Sequence, residues 1–203
     1  WDASVSNAFT TRAVDLVDIS GASDVPTVAK QIMVSDNSRH VIAFGTNTLN
    51  TTVQDSLLIR FSDQESFLDW TPKATNSAGD LRIGSGSNFV CAIETKREIL
   101  IWTNSSLQTM QYLGPPFVFG IQPLASNITI MGANAVAAVE DVVFWMGKDC
   151  FYQYDGQTKQ LPCTVKEEVF FNFNSGQEEK VYAGINSEFS EVTWFYCSDD
   201  NSV

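Results

Sequence analysis

An all-β fold of β-propeller-like, four-stranded blades with one short helix is what this sequence predicts, and three observations carry it. The first is a hairpin at Glu98 to Tyr112, EILIWTNSSLQTMQY, that returns as Val142 to Tyr154, VVFWMGKDCFYQY. Each copy has an apolar strand with a Trp near its end, a polar turn, and a return strand of period two. The second is spacing: Trp145 follows Trp102 by 43 residues, and Trp194, in EVTWFYC, follows Trp145 by 49. Hairpins recurring about every 40 to 50 residues are a mark of propeller blades. The third is composition: 44% of the 203 residues are hydrophobic, with 14 Phe and 5 Trp. That is enough apolar material to bury a sizeable core and suits strands packed on both faces. An ordinary β-sandwich with coincidental spacing is the competing architecture.

In chain order, residues 1–29 read as a polar meander, with a half-exposed strand at Arg12 to Ile19, where Val14 and Leu16 alternate with Asp15, and a turn at GASDVP. Strands follow at Lys30 to Val34, His40 to Gly45 and Ser56 to Ser62, the first two joined by the polar turn SDNSR. His40 is the only histidine, so a His-pair metal site cannot be built, and an exposed strand position is expected for it.

The most distinctive run is Arg60 to Pro72, RFSDQESFLDWTP. Ser62 and Asp63 end a strand, Asp69 and Trp70 begin the next feature, and Pro72 fixes the exit. It resembles the Asp-box of sialidase-like propellers, but no Gly follows Asp63 and the Trp lies one residue too far on. Asp63, Glu65 and Asp69 could be read as a glycosidase carboxylate pair. A turn whose Ser and Asp side chains satisfy free backbone amides is the reading favoured here.

After Leu81 to Ile83, the run GSGS at Gly84 to Ser87 reads as a linker, lacking the length and the Lys of a phosphate-binding loop. One blade then spans Phe89 to Glu94, Glu98 to Thr103, Ser106 to Tyr112 and Phe117 to Pro123. The next contains Ala135 to Val139, Val142 to Met146, Cys150 to Tyr154 and Lys159 to Leu161. Pro162 to Asn172 reads as a helix of about two turns, with Thr164 and Glu167 as a capping box. A last hairpin begins at Val181 to Ile185. The whole of 1–203 thus reads as one partial propeller-like domain with blades at roughly 30–83, 89–123, 128–161 and 180–203, the last truncated. Because the first residue is Trp1 and the strand ending at Cys197 lacks a following partner, the expectation is a segment of a larger subunit.

Twelve Lys and Arg against 24 Asp and Glu give a formal charge of −12, which disfavours a basic-patch mode of nucleic-acid binding and attachment to acidic membranes. No apolar run approaches the roughly 18 residues of a membrane span. Cys91, Cys150, Cys163 and Cys197 are dispersed without CxxC spacing, which excludes zinc ribbons and leaves reduced cysteines in or beside apolar strands. Three sequons, at Asn50, Asn104 and Asn127, are ordinary in so Asn-, Ser- and Thr-rich a chain.

The strings RFSDQESFLDWTP, AGDLRIGSGS, EILIWTNSSLQTMQYLGPPFVFG, VFWMGKDCFYQYDG and LPCTV, with the opening WDAS and GASDVPT, resemble bacteriophage tail proteins of the nozzle and packaged-DNA stabilisation type. The resemblance covers most of the chain and is most specific in the SD…DWTP run and the W…MQYxGPP hairpin. It implies a virion tail protein, assembled in the host bacterial cytoplasm, whose copies form a ring, commonly six. It also implies neighbouring tail adaptor and fibre or needle proteins, and transient, non-specific passage of DNA through the ring. It carries no catalytic, cofactor-binding or metal-ligating residue and no membrane anchor. Arg60, Ser62, Asp63, Asp69, Trp70, Pro72, Trp102, Trp145 and Trp194 are accordingly read as a structural motif. The alternatives are a glycan- or receptor-binding propeller module, with Trp70 and Phe117 as its best stacking candidates, and a sialidase-like glycan hydrolase.

Overall fold

Short apolar strands fold here as antiparallel meanders in which each strand pairs with the next in sequence. The structure, a computed structural model, describes residues 14–199, and the chain divides into two units, Trp1–Arg82 and Ile83–Val203.

The described residues of the first unit hold one sheet, ordered β1 (Gln31–Val34), β2 (Val41–Phe44), β3 (Leu58–Phe61) and β4 (Gly79–Arg82). The central strands β2 and β3 are buried almost throughout, whereas β1 and β4 alternate between half-buried and exposed positions. That gradient is what continuous apolar runs in the middle and mixed runs at the edges produce. The segment from Arg12 to Ile19 is not a strand over its described part: Leu16–Asp18 is a 3₁₀ turn closed by Asp18 N–H to Asp15 O at 2.9 Å. Val14 and Val17 stay exposed there. His40 is a second correction, since it is fully buried rather than exposed. The turn from Ser35 to Arg39 bends back so tightly, with Arg39 at φ 58°, that the ring enters the sheet edge-on to Phe61, 6.2 Å between centroids.

The second unit contains two further four-stranded meanders. One runs β5 (Phe89–Glu94), β6 (Ile99–Thr103), β7 (Ser106–Gly114) and β8 (Val118–Ser126); the other runs β9 (Val136–Val139), β10 (Val142–Met146), β11 (Phe151–Tyr154) and β12 (Thr158–Gln160). A two-stranded ribbon, β13 (Tyr182–Asn186) with β14 (Glu191–Phe195), follows. The fold is therefore all-β, with four antiparallel sheets, one α-helix and two 3₁₀ turns among the described residues; no closed propeller forms among them.

The core of this unit is built on the repeated Trp. Trp102 on β6 and Trp145 on β10 are both fully buried and meet edge to face at 5.2 Å, and Trp145 stacks on Tyr152 at 5.3 Å. Leu100, Leu107, Val143, Met146 and Val181 close around them. Trp194 is only half-buried: its ring lies against Phe151, 4.9 Å between centroids, and its Nε1–H donates to Ala135 O at 3.0 Å. Gly86 is required where it stands, because its φ is +93° and a Cβ there would sit 2.4 Å from Thr103 Oγ1.

Two expectations change in this unit. Tyr112 is not core but 39% exposed, because β6 pairs with β7 only as far as Met110 and the β7–β8 hairpin continues alone beyond it. The helix α1 (Lys166–Phe171) is shorter than expected and starts after Val165, with no side-chain cap. The Thr164 and Glu167 capping box is therefore not formed. None of the four cysteines is in a disulfide; Cys91 and Cys150 are buried, and Cys163 and Cys197 half-exposed.

The indole N–H groups of Trp102 and Trp145 are buried without an acceptor, a cost on the order of 1–3 kcal/mol each. Trp102→Ala is expected to lower stability by about 3–5 kcal/mol, and Trp102→Phe by markedly less, because it keeps most of the ring contact and removes the unmet donor. Urea unfolding of the two variants checks this; equal losses would show that the ring contact is not what matters.

Candidate functional site

The run RFSDQESFLDWTP draws the segment around Ser23 onto the first sheet, and its side chains act chiefly on backbone. Arg60 and Ser62 arrive on and just after β3, in register with β2 and β4. The Ser62 hydroxyl accepts from Val41 N–H at 3.0 Å and donates to Asp63 O at 2.9 Å. The chain then loops, with Glu65 at φ 59°, and closes where Asp63 N–H donates to Asp69 O at 2.8 Å. Ser23 and Asp69 form a parallel bridge: Ser23 N–H donates to Leu68 O at 2.9 Å, and Trp70 N–H to Ser23 O at 3.0 Å.

Asp69 is the most heavily engaged carboxylate in the described structure. It accepts from the Ser23 hydroxyl at 2.8 Å, Lys73 Nζ at 3.0 Å, Asn76 Nδ2 at 3.2 Å and Thr71 N–H at 3.2 Å. The Ser23 and Lys73 bonds, with smaller help from Asn76 and Thr71, hold its pKa down at about 2. Asp24 on the drawn-in segment accepts from the Thr71 hydroxyl at 2.6 Å through its side chain and from Arg60 Nη2 through its carbonyl. Trp70 is 2% exposed, packs with Val25 and Ala43, and donates its Nε1–H to Phe67 O at 2.8 Å. Its burial withdraws it as a stacking platform for a glycan. Phe117, the other candidate, is 75% exposed at the tip of the β7–β8 hairpin. Pro72 lies exposed where the chain leaves for the turn closed by Asn76.

Beside the clamp lies a second constellation. The Ser77 hydroxyl donates to Asp63 Oδ1 at 2.7 Å, accepts from Gln64 N–H at 2.9 Å, and lies 3.0 Å from His40 Nε2. Ser, His and Asp thus meet, but with the serine in the middle, its proton committed to the carboxylate. A nucleophilic triad needs the histidine between the two. Burial pushes the Asp63 carboxyl up, and the bonds from Ser77 and Gln64 outweigh it, so the net shift is downward. A glycosidase acid needs the opposite shift. Neither Asp63 nor Asp69 has it.

Among the described residues of the second unit, Glu98 is the one nearly buried acid. Its two oxygens accept from the Tyr154 hydroxyl and from Gln111 Nε2 at 3.1 Å, at the base of a recess of about 80 Å³ edged by Arg97, Asp141 and Asp155. Asp141 and Asp155 face Lys96 at 3.2 Å and Lys159 at 2.7 Å. Glu167 and Glu168 are exposed on α1. No grouping of three or more potential metal ligands occurs among the described residues, and no described helix is long and apolar enough to cross a membrane.

A comparison of the chain with protein-family models finds no match, and neither does one with curated proteins.

Ser23, Asp24, Ser77 and the buried state of His40 were not singled out from sequence. The capping-type signal of Ser and Asp around a turn was present in GASDVP, but its partners lie 36 to 47 residues away.

Two pH steps follow. Burial lowers the pKa of His40 below 6.5, so the neutral ring favours the fold: that stability is complete above pH 6.5 and declines as pH falls from 6.5 toward the lowered value. Asp69, at about 2 against 3.8, contributes stability above pH 3.8 that is lost between pH 3.8 and 2. Unfolding followed against pH in His40→Gln should lack the upper step, and in Asp69→Asn the lower one should shrink. Asp69→Ala at pH 7 should cost about 1–3 kcal/mol.

Proposed function

We propose that this chain is a structural subunit of a bacteriophage tail, of the nozzle type, whose copies assemble into a ring, commonly of six, that retains packaged DNA and conducts it at ejection. The observation that carries the reading is how the resembling motifs are used. Arg60, Ser62, Asp63, Asp69, Trp70, Trp102, Trp145 and Trp194 are spent on turns, bridges and core. Side chains consumed in this way build an architecture and leave no poised acid or nucleophile. Three successive four-stranded meanders suit the blades of such a subunit.

A second feature supports assembly. Residues 99–139 contain no charged side chain, in a chain of formal charge −12. Within this run the β7–β8 hairpin extends beyond its sheet to a tip that exposes Tyr112, Leu113 and Phe117. Like-charged copies repel, and an uncharged arm with an apolar end gives them a place to meet. The acidic surface also offers DNA few phosphate contacts, so a genome can slide past it. On this reading the protein resides in the virion tail, beside adaptor and fibre or needle proteins.

Sedimentation of the full chain tests the assembly. The expected result is a species several times the 22.4 kDa single copy, shifted to the single copy by the pair Leu113→Asp and Phe117→Asp with little change in Tm. A parent protein that stays at single-copy mass at high concentration would overturn the proposal.

A further inference from the structure

A ring of more than two copies needs two different surfaces that fit each other, because a patch that pairs with itself closes at a dimer. The exposed tip of the β7–β8 arm is one such surface. The second unit also carries a concave one. An open groove of about 400 Å³ is walled by Val139 and Val142 at the β9–β10 turn, Phe144 of β10, Leu161 beyond β12, and Val192 and Trp194 of β14. All six are half-buried rather than covered. Exposed Glu140 is the one charged residue among the described lining.

Both surfaces are set before they meet. Trp194 is pinned by its N–H bond to Ala135 O at 3.0 Å and by its contact with Phe151, so that wall of the groove is fixed. The arm runs on from Gln111 to Gly114 after β7 loses its pairing with β6 at Met110, a projection of about 13 Å at the usual strand rise. Tyr112 packs edge to face on Phe119, 5.5 Å between centroids, and Leu113 lies across Gly120, where a Cβ would come 2.8 Å from it. Leu113 and Phe117 remain exposed, so neither fills the groove of its own copy.

Charge narrows what can enter. The chain carries −12, and Glu140 is followed by Asp141, so an acidic segment placed against this turn would meet like charge. The arm lies within the uncharged run 99–139 and meets no such repulsion. Aromatic and apolar anchors seated in pockets, with charge depleted at the centre, are how protein interfaces gain most of their affinity.

We propose that this groove receives the arm tip of a second copy of the chain, Leu113 and Phe117 packing on Phe144 and Trp194, so that copies join head to tail. The proposal rests on the ring described above and names the contact that builds it.

Photocrosslinking of the full chain with benzoylphenylalanine in place of Phe117 tests it. Cross-links are expected between copies, from position 117 to residues 139–144 or 192–194. Sedimentation of two variants gives a second readout. Leu113→Asp with Phe117→Asp removes the tip and keeps the groove; Val139→Glu spoils the groove and keeps the tip. Each alone should keep its Tm and sediment as a single copy. Their equimolar mixture should form a species of twice the 22.4 kDa single copy and nothing larger, since each pair retains one working contact. Should Val139→Glu fail to fold, Val192→Glu on β14 takes its place. A larger assembly whose cross-links avoid the groove, or groove variants that fold and assemble like the parent, would overturn this contact and leave the ring standing. A parent protein that stays at single-copy mass would overturn both.

Discussion

Two indoles in contact set the plan of the larger unit. Trp102 and Trp145 come from equivalent strands of successive meanders and meet at 5.2 Å with both side chains fully buried. A four-stranded sheet whose central strands are apolar on both faces cannot stand alone in water, so each meander needs a neighbour. The Trp pair supplies the largest share of that contact per residue, since aromatic rings bring the most area. Tyr152 extends that layer by stacking on Trp145, and Phe151, on the opposite face of β11, packs against Trp194 of the last ribbon. The unmet N–H groups of the two indoles fit the same logic, because shape, not hydrogen bonding, chose the residue.

The smaller unit solves a different problem with different means. Its sheet lacks a Trp at the corresponding strand position; Trp70 comes instead from the loop between β3 and β4 and packs with Val25 and Ala43. Holding that loop requires polar work, and Asp69, Ser23, Thr71 and Asp24 perform it over long sequence separations. Carboxylates stabilised so firmly in their ionised form are poor proton donors at neutral pH. The same bonds that fix the turn therefore argue against a general-acid role for Asp63 and Asp69.

The strands were legible because their apolar runs and polar turns are local: β1, β2, β5, β10 and the ends of β6 and β7 fall within a residue or two of where pattern alone places them. What failed depended on distant partners. Alternation of Val and Asp before Ile19 mimics a strand, but no described strand supplies a ladder there, and a 3₁₀ turn forms. Tyr112 has the period of a core residue, yet β6 ends too early to cover it. Thr164 has the spacing of a cap, yet the helix begins beyond its reach. His40 looked like an exposed strand end, and the Ser77 that receives it lies 37 residues on. The turn motif itself was visible as residue types; that Ser23 and Asp24 complete it was not.

We propose building material rather than a catalyst on three grounds: an architecture that uses its distinctive residues to hold backbone, an uncharged arm on an acidic chain, and the resemblance of its motifs to those of phage tail nozzle proteins. Averaged electron-microscope images of the native, full-length protein test that claim most directly. The expected result is a closed ring of about six copies around an axial opening, since closed cyclic symmetry is how identical subunits form a conduit. A uniform field of compact single-copy particles, with no ring in any preparation, would contradict it.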